Sequence, residues 1–282
     1  MTQAMPEVSS NRRMTRHNRT ILVRTIQYVL LAAVVVMFAV VGDWSNFADQ
    51  YLNWDVAKAL FPRMLTTGLV NTLLYTAGAF VLGLVLGLVI ALMRLSEVWL
   101  YRAIATVYVE LLRGLPTLLV LFLVVYGVPI LFGDVSFLKD FYVQAIVGLG
   151  SVAGAYMSET IRAGIQAVPR GQMEAARTLG MSRTRAMLSI VIPQAFRIVI
   201  PPMTNELILL VKDSSLVYVL GVTTAQYELT KFSQVAASGG IRGIPNGPTP
   251  LLMAGLFYLV ITLPLSQAVR ALERRQARRG GH

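Results

Sequence analysis

Residue types that catalyse reactions or bind metals are scarce in this 282-residue chain. It has no cysteine, which excludes disulfides, thiolate metal sites and cysteine nucleophiles. The two histidines, His17 and His282, both lie in polar tails, so we expect no histidine metal site or catalytic dyad within the fold. A P-loop that cradles nucleotide phosphates needs a Gly–Lys pair, and the sequence contains none. These absences argue against an enzyme and against a chain that hydrolyses ATP itself.

Much of the remaining polar chemistry lies inside apolar segments. Asn205 and Glu206 fall within one such segment, and the polar run 212–215 (Lys-Asp-Ser-Ser) follows further along it. A charged side chain inside a membrane helix costs about 2.5–3.5 kcal/mol on insertion scales, so we treat each one as a functional candidate. Donors and acceptors along one helix suit either a path for a polar solute or hydrogen bonds between helices. We favour the path.

Three further charges lie near the ends of apolar segments. Glu110 and Arg113 are three residues apart, a helical spacing at which opposite charges neutralise each other, so we give them a structural role ahead of solute contact. Glu159 is open to either interpretation. The candidate path residues are therefore Glu159, Asn205, Glu206, Lys212, Ser214 and Ser215.

A basic segment between two apolar stretches contains the helix start and stop signals of a helical hairpin. Pro169 suits the first turn of a helix, and Gly180 suits the left-handed residue after a helix end. Ser182 can cap a second helix, which we expect to run to Pro193. The sequence therefore predicts two short helices joined by a sharp turn.

The first of these short helices, over 170–179, must pack against another structure. Isolated helices shorter than about 12–15 residues are marginal in water. Met173, Ala176 and Leu179 lie on one stripe, and the small side chains of Ala175 and Ala176 permit close approach. The hairpin either packs on its own membrane domain or inserts into a groove on a cytoplasmic partner.

The elements that position these residues are membrane helices. The chain is 55% hydrophobic and 14% charged, with a mean hydropathy of +0.63, whereas a typical soluble domain is about 25% charged. A helix needs about 20 apolar residues to span the hydrocarbon core. We therefore predict an all-α polytopic membrane protein with about six spans. They are 25–42, 66–93, 103–131, 142–161, 198–220 and 251–271.

Lysine and arginine set the orientation of these spans. With the amino terminus in the cytoplasm, the predicted inside segments hold 18 basic residues and the outside segments hold five. Cytoplasmic loops carry such an excess, so both termini and the hairpin are predicted to be cytoplasmic. The net charge of +11 is then a signal for topology and lipid headgroups, and we expect no nucleic-acid partner.

Composition also divides the chain into regions. The first span resembles a signal peptide, but it is long and has no clear cleavage pattern before Asp43, so we interpret it as a retained anchor. The amino-terminal tail is polar and basic and is predicted to be disordered. The regions are a tail at 1–20, an anchor at 21–45, a membrane domain at 66–272 with its loop at about 163–196, and a basic cytoplasmic tail at 273–282.

The hairpin resembles the EAA loop of ABC importer permeases. That pattern is E-A-A, three residues, G, nine residues, I, one residue, L-P. Glu174-Ala175-Ala176, Gly180 and Ile190-Val191-Ile192-Pro193 fit every spacing, and Ile192 stands where leucine is usual.

Four further segments resemble the polar amino-acid permeases, the histidine, glutamate, glutamine, arginine and opine group. In the second of these segments Leu115 replaces the usual threonine. The segments are Asn71-Thr72-Leu73, Arg113-Gly114-Leu115-Pro116, 164–169 and 212–216. The resemblance covers about 66–272, so the first span lies outside the five-helix core of the family.

This resemblance implies a type I ABC importer core with an extra amino-terminal anchor in a bacterial inner membrane. It also implies two ATPase subunits, a second permease subunit (identical or sister), an extracytoplasmic solute-binding protein, an amino-acid substrate and membrane lipids as partners. This chain would bind no cofactor, and ATP and Mg would sit on the ATPase partner. The coupling residues implied are Glu174, Ala175, Ala176, Gly180, Ile190 and Pro193.

Two other classes of protein compete with this interpretation. A stand-alone channel or secondary transporter would move solute without ATP, and it usually shows inverted repeats or broken helices, which the sequence does not reveal. A membrane-embedded enzyme is disfavoured because the sequence lacks a cluster of catalytic residue types.

Overall fold

The structure is a computed structural model that describes residues 16–133 and 140–279. The chain divides into two compact units, Met1–Asp49 and Gln50–His282. Most of the predicted disordered tail and the last three residues lie outside the described part of the chain.

The first unit is built on helix α1, Arg16–Val41. Its stretch Thr20–Val41 is long and apolar enough to cross a membrane, with a mean hydropathy of 2.2. The residues of this stretch are exposed throughout, which suits a helix surrounded by lipid. After α1 the chain turns at Gly42, where the Trp44 indole donates a hydrogen bond of 2.9 Å to the Ala39 carbonyl. The first unit also contains most of helix α2, Trp44–Tyr51.

The second unit is a bundle of long helices joined by short ones. The helices after α1 are α2 Trp44–Tyr51, α3 Trp54–Arg63, α4 Val70–Arg94, α5 Trp99–Gly114, α6 Thr117–Phe132, α7 Phe141–Ala167, α8 Arg170–Thr178, α9 Arg183–Ala186, α10 Ile192–Asp213, α11 Leu229–Ala237 and α12 Thr249–Arg279. Single π-helical turns, Met64–Leu69 and Met187–Val191, join α3 to α4 and α9 to α10.

The membrane-helix prediction is confirmed in number. The described residues hold five helices long and apolar enough to span a membrane, or six if one bent pair counts as a span. The predicted third span, 103–131, is wrong as a single helix, because α5 and α6 meet at 110°. Pro116 causes the break: the residue before a proline is pushed out of the helical region, and Leu115 has φ −94° and ψ 143°.

Two further details differ from the sequence prediction. The second hairpin helix does not end at Pro193, because α9 continues through the π-helical turn into α10. Proline is tolerated in a first helical turn, and Pro193 occupies that position in α10. Residues 233–250 are rich in Gly, Pro and Ser, which predicts an external loop, but the start of this segment lies within helix α11.

Helices α4 and α7 pack backbone against backbone along a seam of glycines. Gly83 and Gly87 of α4 face Gly150 and Gly154 of α7, and each pair has the small-xxx-small spacing that lets membrane helices approach closely. A Cβ atom on Gly87 would lie 2.9 Å from Cβ of Met157, which is too close for two carbon atoms. We call this contact the glycine seam.

Polar side chains at the start of α4 hold the segment that leads into α11. The Asn71 amide donates to the carbonyls of Ala225 at 2.8 Å and Tyr227 at 3.0 Å. The Tyr75 hydroxyl donates to the Gln226 carbonyl at 3.1 Å. Three consecutive carbonyls are therefore satisfied by one helix, and we call this arrangement the loop clamp.

Candidate functional site

The hairpin of α8 and α9 has the predicted turn. Helix α8 starts directly after Pro169, and Gly180 follows its end with φ +84°, so the predicted left-handed glycine is confirmed. The Ser182 hydroxyl accepts a hydrogen bond of 3.3 Å from the Arg185 amide, as a helix cap should. The turn is thus fixed by local backbone chemistry.

The two faces of α8 have different surroundings. Ala176 is 2% exposed and Met173 packs against the main hydrophobic core, so this face rests on the chain's own membrane domain. Glu174 and Ala175 are exposed, and Leu179 is 84% exposed at the tip of the hairpin. The predicted stripe of Met173, Ala176 and Leu179 is therefore split: the first two residues face the membrane domain and Leu179 does not. The exposed face of α8, with Glu174 and Ala175, is available to a partner.

The other two coupling candidates lie where the hairpin joins α10. Ile190 is half-buried in the π-helical turn, and Pro193 is exposed in the first turn of α10. The hairpin also carries four exposed arginines, which give its surface a positive charge, and one of them, Arg183, forms an ion pair with Glu97. The four arginines are Arg170, Arg177, Arg183 and Arg185.

Glu159 lies at the centre of an arginine cluster. Its carboxylate contacts Nη2 of Arg162 at 2.8 Å, forms an ion pair with Arg94 of α4, and lies 4.0 Å from Nη1 of Arg113 of α5. The cluster ties three helices together, which is a structural role for Glu159. The guanidinium of Arg113 also lies over the Tyr156 ring, 5.2 Å from its centroid. The contacts that the structure gives Arg113 are thus to α7, whereas the sequence predicted Glu110 as its partner.

A cavity of about 230 Å³ lies between α6, α7 and α10. Its wall carries two carboxylates, Glu206 and Asp213, and two hydroxyls, Thr117 and Tyr156. The rest of the wall is apolar: Leu149, Val152, Ala153, Leu209 and Leu210. We call it the acidic cavity, since its lining contains acids and no base.

Only one of the predicted path residues lines this cavity, namely Glu206. Glu159 belongs to the arginine cluster, and Asn205 and Lys212 are exposed elsewhere on α10. The Ser214 hydroxyl is buried and donates to the Val211 carbonyl at 2.7 Å, and Ser215 is half-buried in the 3₁₀ turn that follows α10.

Three polar residues of the cavity wall, Asp213, Thr117 and Tyr156, are not among the candidate path residues, although Asp213 belongs to the polar run 212–215. Asp213 follows Glu206 by seven residues, and two helical turns return a side chain to the same face, so this spacing could have identified it. Thr117 and Tyr156 carry no comparable signal, because their position depends on the α5–α6 bend and on helix packing.

A larger cavity of about 400 Å³ lies between α4, α7 and α10. Its lining is apolar except for Thr204, and it includes Phe80, Phe196 and Met203. An apolar wall leaves the charges of a polar solute without partners, so this cavity does not suit one.

Glu228 is a buried carboxyl group outside the spanning segments. It accepts hydrogen bonds from the amides of Thr230 at 2.6 Å and Lys231 at 2.7 Å and from the Tyr258 hydroxyl at 3.1 Å. These bonds favour the charged form, but burial outweighs them and raises the pKa of Glu228 from 4.5 to about 7. The side chain caps α11 next to the loop clamp.

The family model for the binding-protein-dependent transport system inner membrane component matches residues 83–278. This chain belongs to that family. The permease is 38% identical to the probable glutamine ABC transporter permease protein GlnM of Bacillus subtilis (strain 168). The 212 aligned residues cover 75% of this chain and 93% of GlnM. The permease is 34% identical over 222 residues to the L-cystine transport system permease protein TcyB of the same organism, covering 79% and 90% of the two chains.

A solved structure agrees with these relatives. The permease superimposes on the crystal structure of an amino acid ABC transporter with histidines with a TM-score of 0.65 and 35% identity, covering 80% of this chain and 98% of the other. The resemblance to amino-acid ABC permeases is therefore confirmed. The permease is a membrane component without catalytic activity, and in this family a separate ATPase hydrolyses ATP.

Proposed function

We propose that this permease is the translocation subunit of an ATP-driven importer for a polar amino acid in a bacterial inner membrane. One observation carries the proposal: a continuous run of helix connects the hairpin to the acidic cavity. From Ser182 the chain runs through α9 and the π-helical turn into α10, which carries Glu206 and Asp213. A displacement of the hairpin therefore reaches the cavity without crossing a flexible loop.

The exposed face of α8 is the proposed contact for an ATPase subunit. Glu174 lies exposed in the middle of α8 and is available to an arginine of the partner, and Leu179 offers an apolar anchor. The buried face of α8, with Met173 and Ala176, passes the motion to the membrane domain. ATP and Mg would bind to the ATPase, and this chain would bind no cofactor.

The acidic cavity is the proposed binding place for the solute. A free amino acid carries an ammonium group, which Glu206 and Asp213 can pair with, and the hydroxyls of Thr117 and Tyr156 supply further hydrogen bonds. An external solute-binding protein would deliver the amino acid, and a second permease subunit, identical or sister, would complete the path within the lipid.

A stand-alone transporter remains the second candidate function, and one observation favours it. The α5–α6 pair is a broken helix beside the cavity, a feature that secondary transporters often use at their binding sites. The family match and the exposed hairpin support the ATP-driven importer instead.

The test is reconstitution in lipid vesicles of the permease with an ATPase subunit, the second permease subunit and the solute-binding protein. We expect the permease and the ATPase to copurify, and the complete assembly to take up an amino acid only with ATP. Glu174→Ala should lower uptake at least about tenfold, as the loss of a charge-assisted contact predicts, whereas Glu273→Gln, which alters an exposed acid on α12, should leave uptake unchanged. Uptake that needs no ATP would support the stand-alone transporter.

A further inference from the structure

Arg113 lies beside the acidic cavity, on the far side of the α5–α6 bend. It is the second-last residue of α5, and Thr117, the first residue of α6, is part of the cavity wall. The bend of 110° keeps these neighbouring segments at one place in the membrane domain. Tyr156 connects them further, since its ring lines the cavity and lies under the Arg113 guanidinium.

Arg113 is the most weakly held of the three arginines around Glu159. Its Nη1 lies 4.0 Å from the Glu159 carboxylate, whereas Nη2 of Arg162 lies at 2.8 Å. Its side chain is 43% exposed, against 18% for Arg94 and 31% for Arg162. Arg113 can therefore turn to another anion while Arg94 and Arg162 keep Glu159 paired.

The charges on the two sides of Tyr156 are opposite. The acidic cavity presents Glu206 and Asp213, and the arginine cluster has three guanidiniums for one carboxylate. An α-amino acid carries an ammonium and a carboxylate on the same carbon atom. A solute in the cavity can satisfy both charges only if its carboxylate points toward the arginine cluster.

We propose that Arg113 binds the α-carboxylate of the transported amino acid, while Glu206 and Asp213 bind its ammonium group. This inference rests on the proposed function of the cavity as an amino-acid site. It fixes the orientation of the solute, with the carboxylate at the Glu159 end of the cavity. It also makes the permease select for a free carboxylate whatever the side chain of the amino acid is.

The experiment measures equilibrium binding to the permease–ATPase complex in lipid nanodiscs, without the solute-binding protein. The probes are L-glutamine, L-arginine and their α-amides, which keep the ammonium group and the side chain but lose the carboxylate charge. The wild-type complex should bind at least one acid, and should bind it at least about tenfold more tightly than its amide.

The variants separate recognition of the carboxylate from a purely structural effect. Arg113→Gln should abolish the preference for acid over amide and leave amide binding within twofold, and Arg113→Lys should retain part of the preference. The control is Arg102→Gln on the same helix, since Arg102 is an exposed arginine that donates to the carbonyls of Ser96 and Glu97. This variant should leave the affinities for both the acid and the amide unchanged.

The outcomes distinguish this inference from the proposed function. Equal loss of acid and amide binding in Arg113→Gln, or no loss, would overturn the role of Arg113 even where ATP-driven uptake persists. If Arg113→Gln does not assemble, a wild-type acid-to-amide ratio near one overturns the inference by itself. Failure of the wild-type complex to bind the acids also overturns it, and absence of ATP-driven uptake of every amino acid tested would refute the proposed function as well.

Discussion

Gly180 and Gly171 lie in the same hairpin but have different backbone conformations. No atom lies within 4 Å of a Cβ built on either residue, so space does not distinguish them, but only Gly180 has a positive φ, +84°. We expect Gly180→Ala to strain the turn by about 1–2 kcal/mol and to lower copurification of the ATPase subunit and ATP-driven uptake together.

Gly171→Ala is the matched control and should leave both measurements unchanged. If the two alanine variants behaved alike, the left-handed turn would not be what the ATPase partner requires.

Glu228 makes stability depend on pH near neutrality. Its pKa in the folded protein, about 7, lies above its ordinary value of 4.5, so the folded state holds the proton more tightly than the unfolded state does. The stabilisation is complete below the unfolded pKa and is lost as the pH rises through about 7. We therefore expect the thermal unfolding midpoint of the purified permease to fall between about pH 5 and pH 7 and to level off at higher pH.

Glu228→Gln should flatten this part of the pH profile, and Glu273→Gln, at an exposed position, should preserve it. A wild-type midpoint that rises over the same interval would contradict the argument.

At the scale of single residues, the sequence predicts what depends on near neighbours in the chain. The conformation of Gly180 and the cap at Ser182 follow from the residues around them, and both are confirmed. The surroundings of Glu159 could not be predicted, because two of its arginine partners, Arg94 and Arg113, come from other helices. Such contacts depend on how the helices pack.

Among the elements, the glycine seam gives the clearest prediction. A Cβ on Gly87 would lie 2.9 Å from Cβ of Met157, so Gly87→Ala should push α4 and α7 apart. Overpacking of this kind costs about 1–3 kcal/mol, which thermal unfolding of the purified permease would measure as a lower midpoint.

The comparison is with Gly255→Ala in α12, where no atom lies within 4 Å of the added carbon. That change should be neutral or slightly stabilising, because alanine is the better helix former. A loss of stability of the same size in both variants would show that the seam has no special role.

Apolar length predicted the membrane helices well but did not give their direction. The run 103–131 is long enough for one span, yet the chain bends by 110° within it. Hydropathy does not change at a bend, so the only signal was the pair Leu115-Pro116, whose backbone restriction is local. This bend positions Thr117, which explains why the cavity was harder to predict than the helices.

For the molecule as a whole, the absence of cysteine permits a direct test of orientation. We expect a single cysteine at exposed Gln172 in the hairpin to be protected from a membrane-impermeant thiol reagent in intact cells. A single cysteine at exposed Gln234 in α11 should react with it.

Permeabilising the cells should make the Gln172→Cys variant reactive and thus serves as the control. The opposite labelling pattern would place the hairpin outside the cell and would remove any contact with a cytoplasmic ATPase.

The family could be predicted from a short stretch of sequence, since the hairpin motif is contiguous. The acidic cavity could not, because α6, α7 and α10 contribute its wall from segments far apart in the chain. Glu206 is a candidate path residue from the sequence alone. Asp213 becomes a candidate only because the fold places both carboxylates on one wall of the cavity.

The glycine seam also bears on how a permease moves. It holds α4 and α7 together as one rigid pair, with the loop clamp near one end and the ion pair of Arg94 and Glu159 near the other. A rigid pair of helices cannot change its length, so a force applied at one end tilts the whole pair. We expect the two mouths of the pathway to be coupled in this way, so that opening one narrows the other.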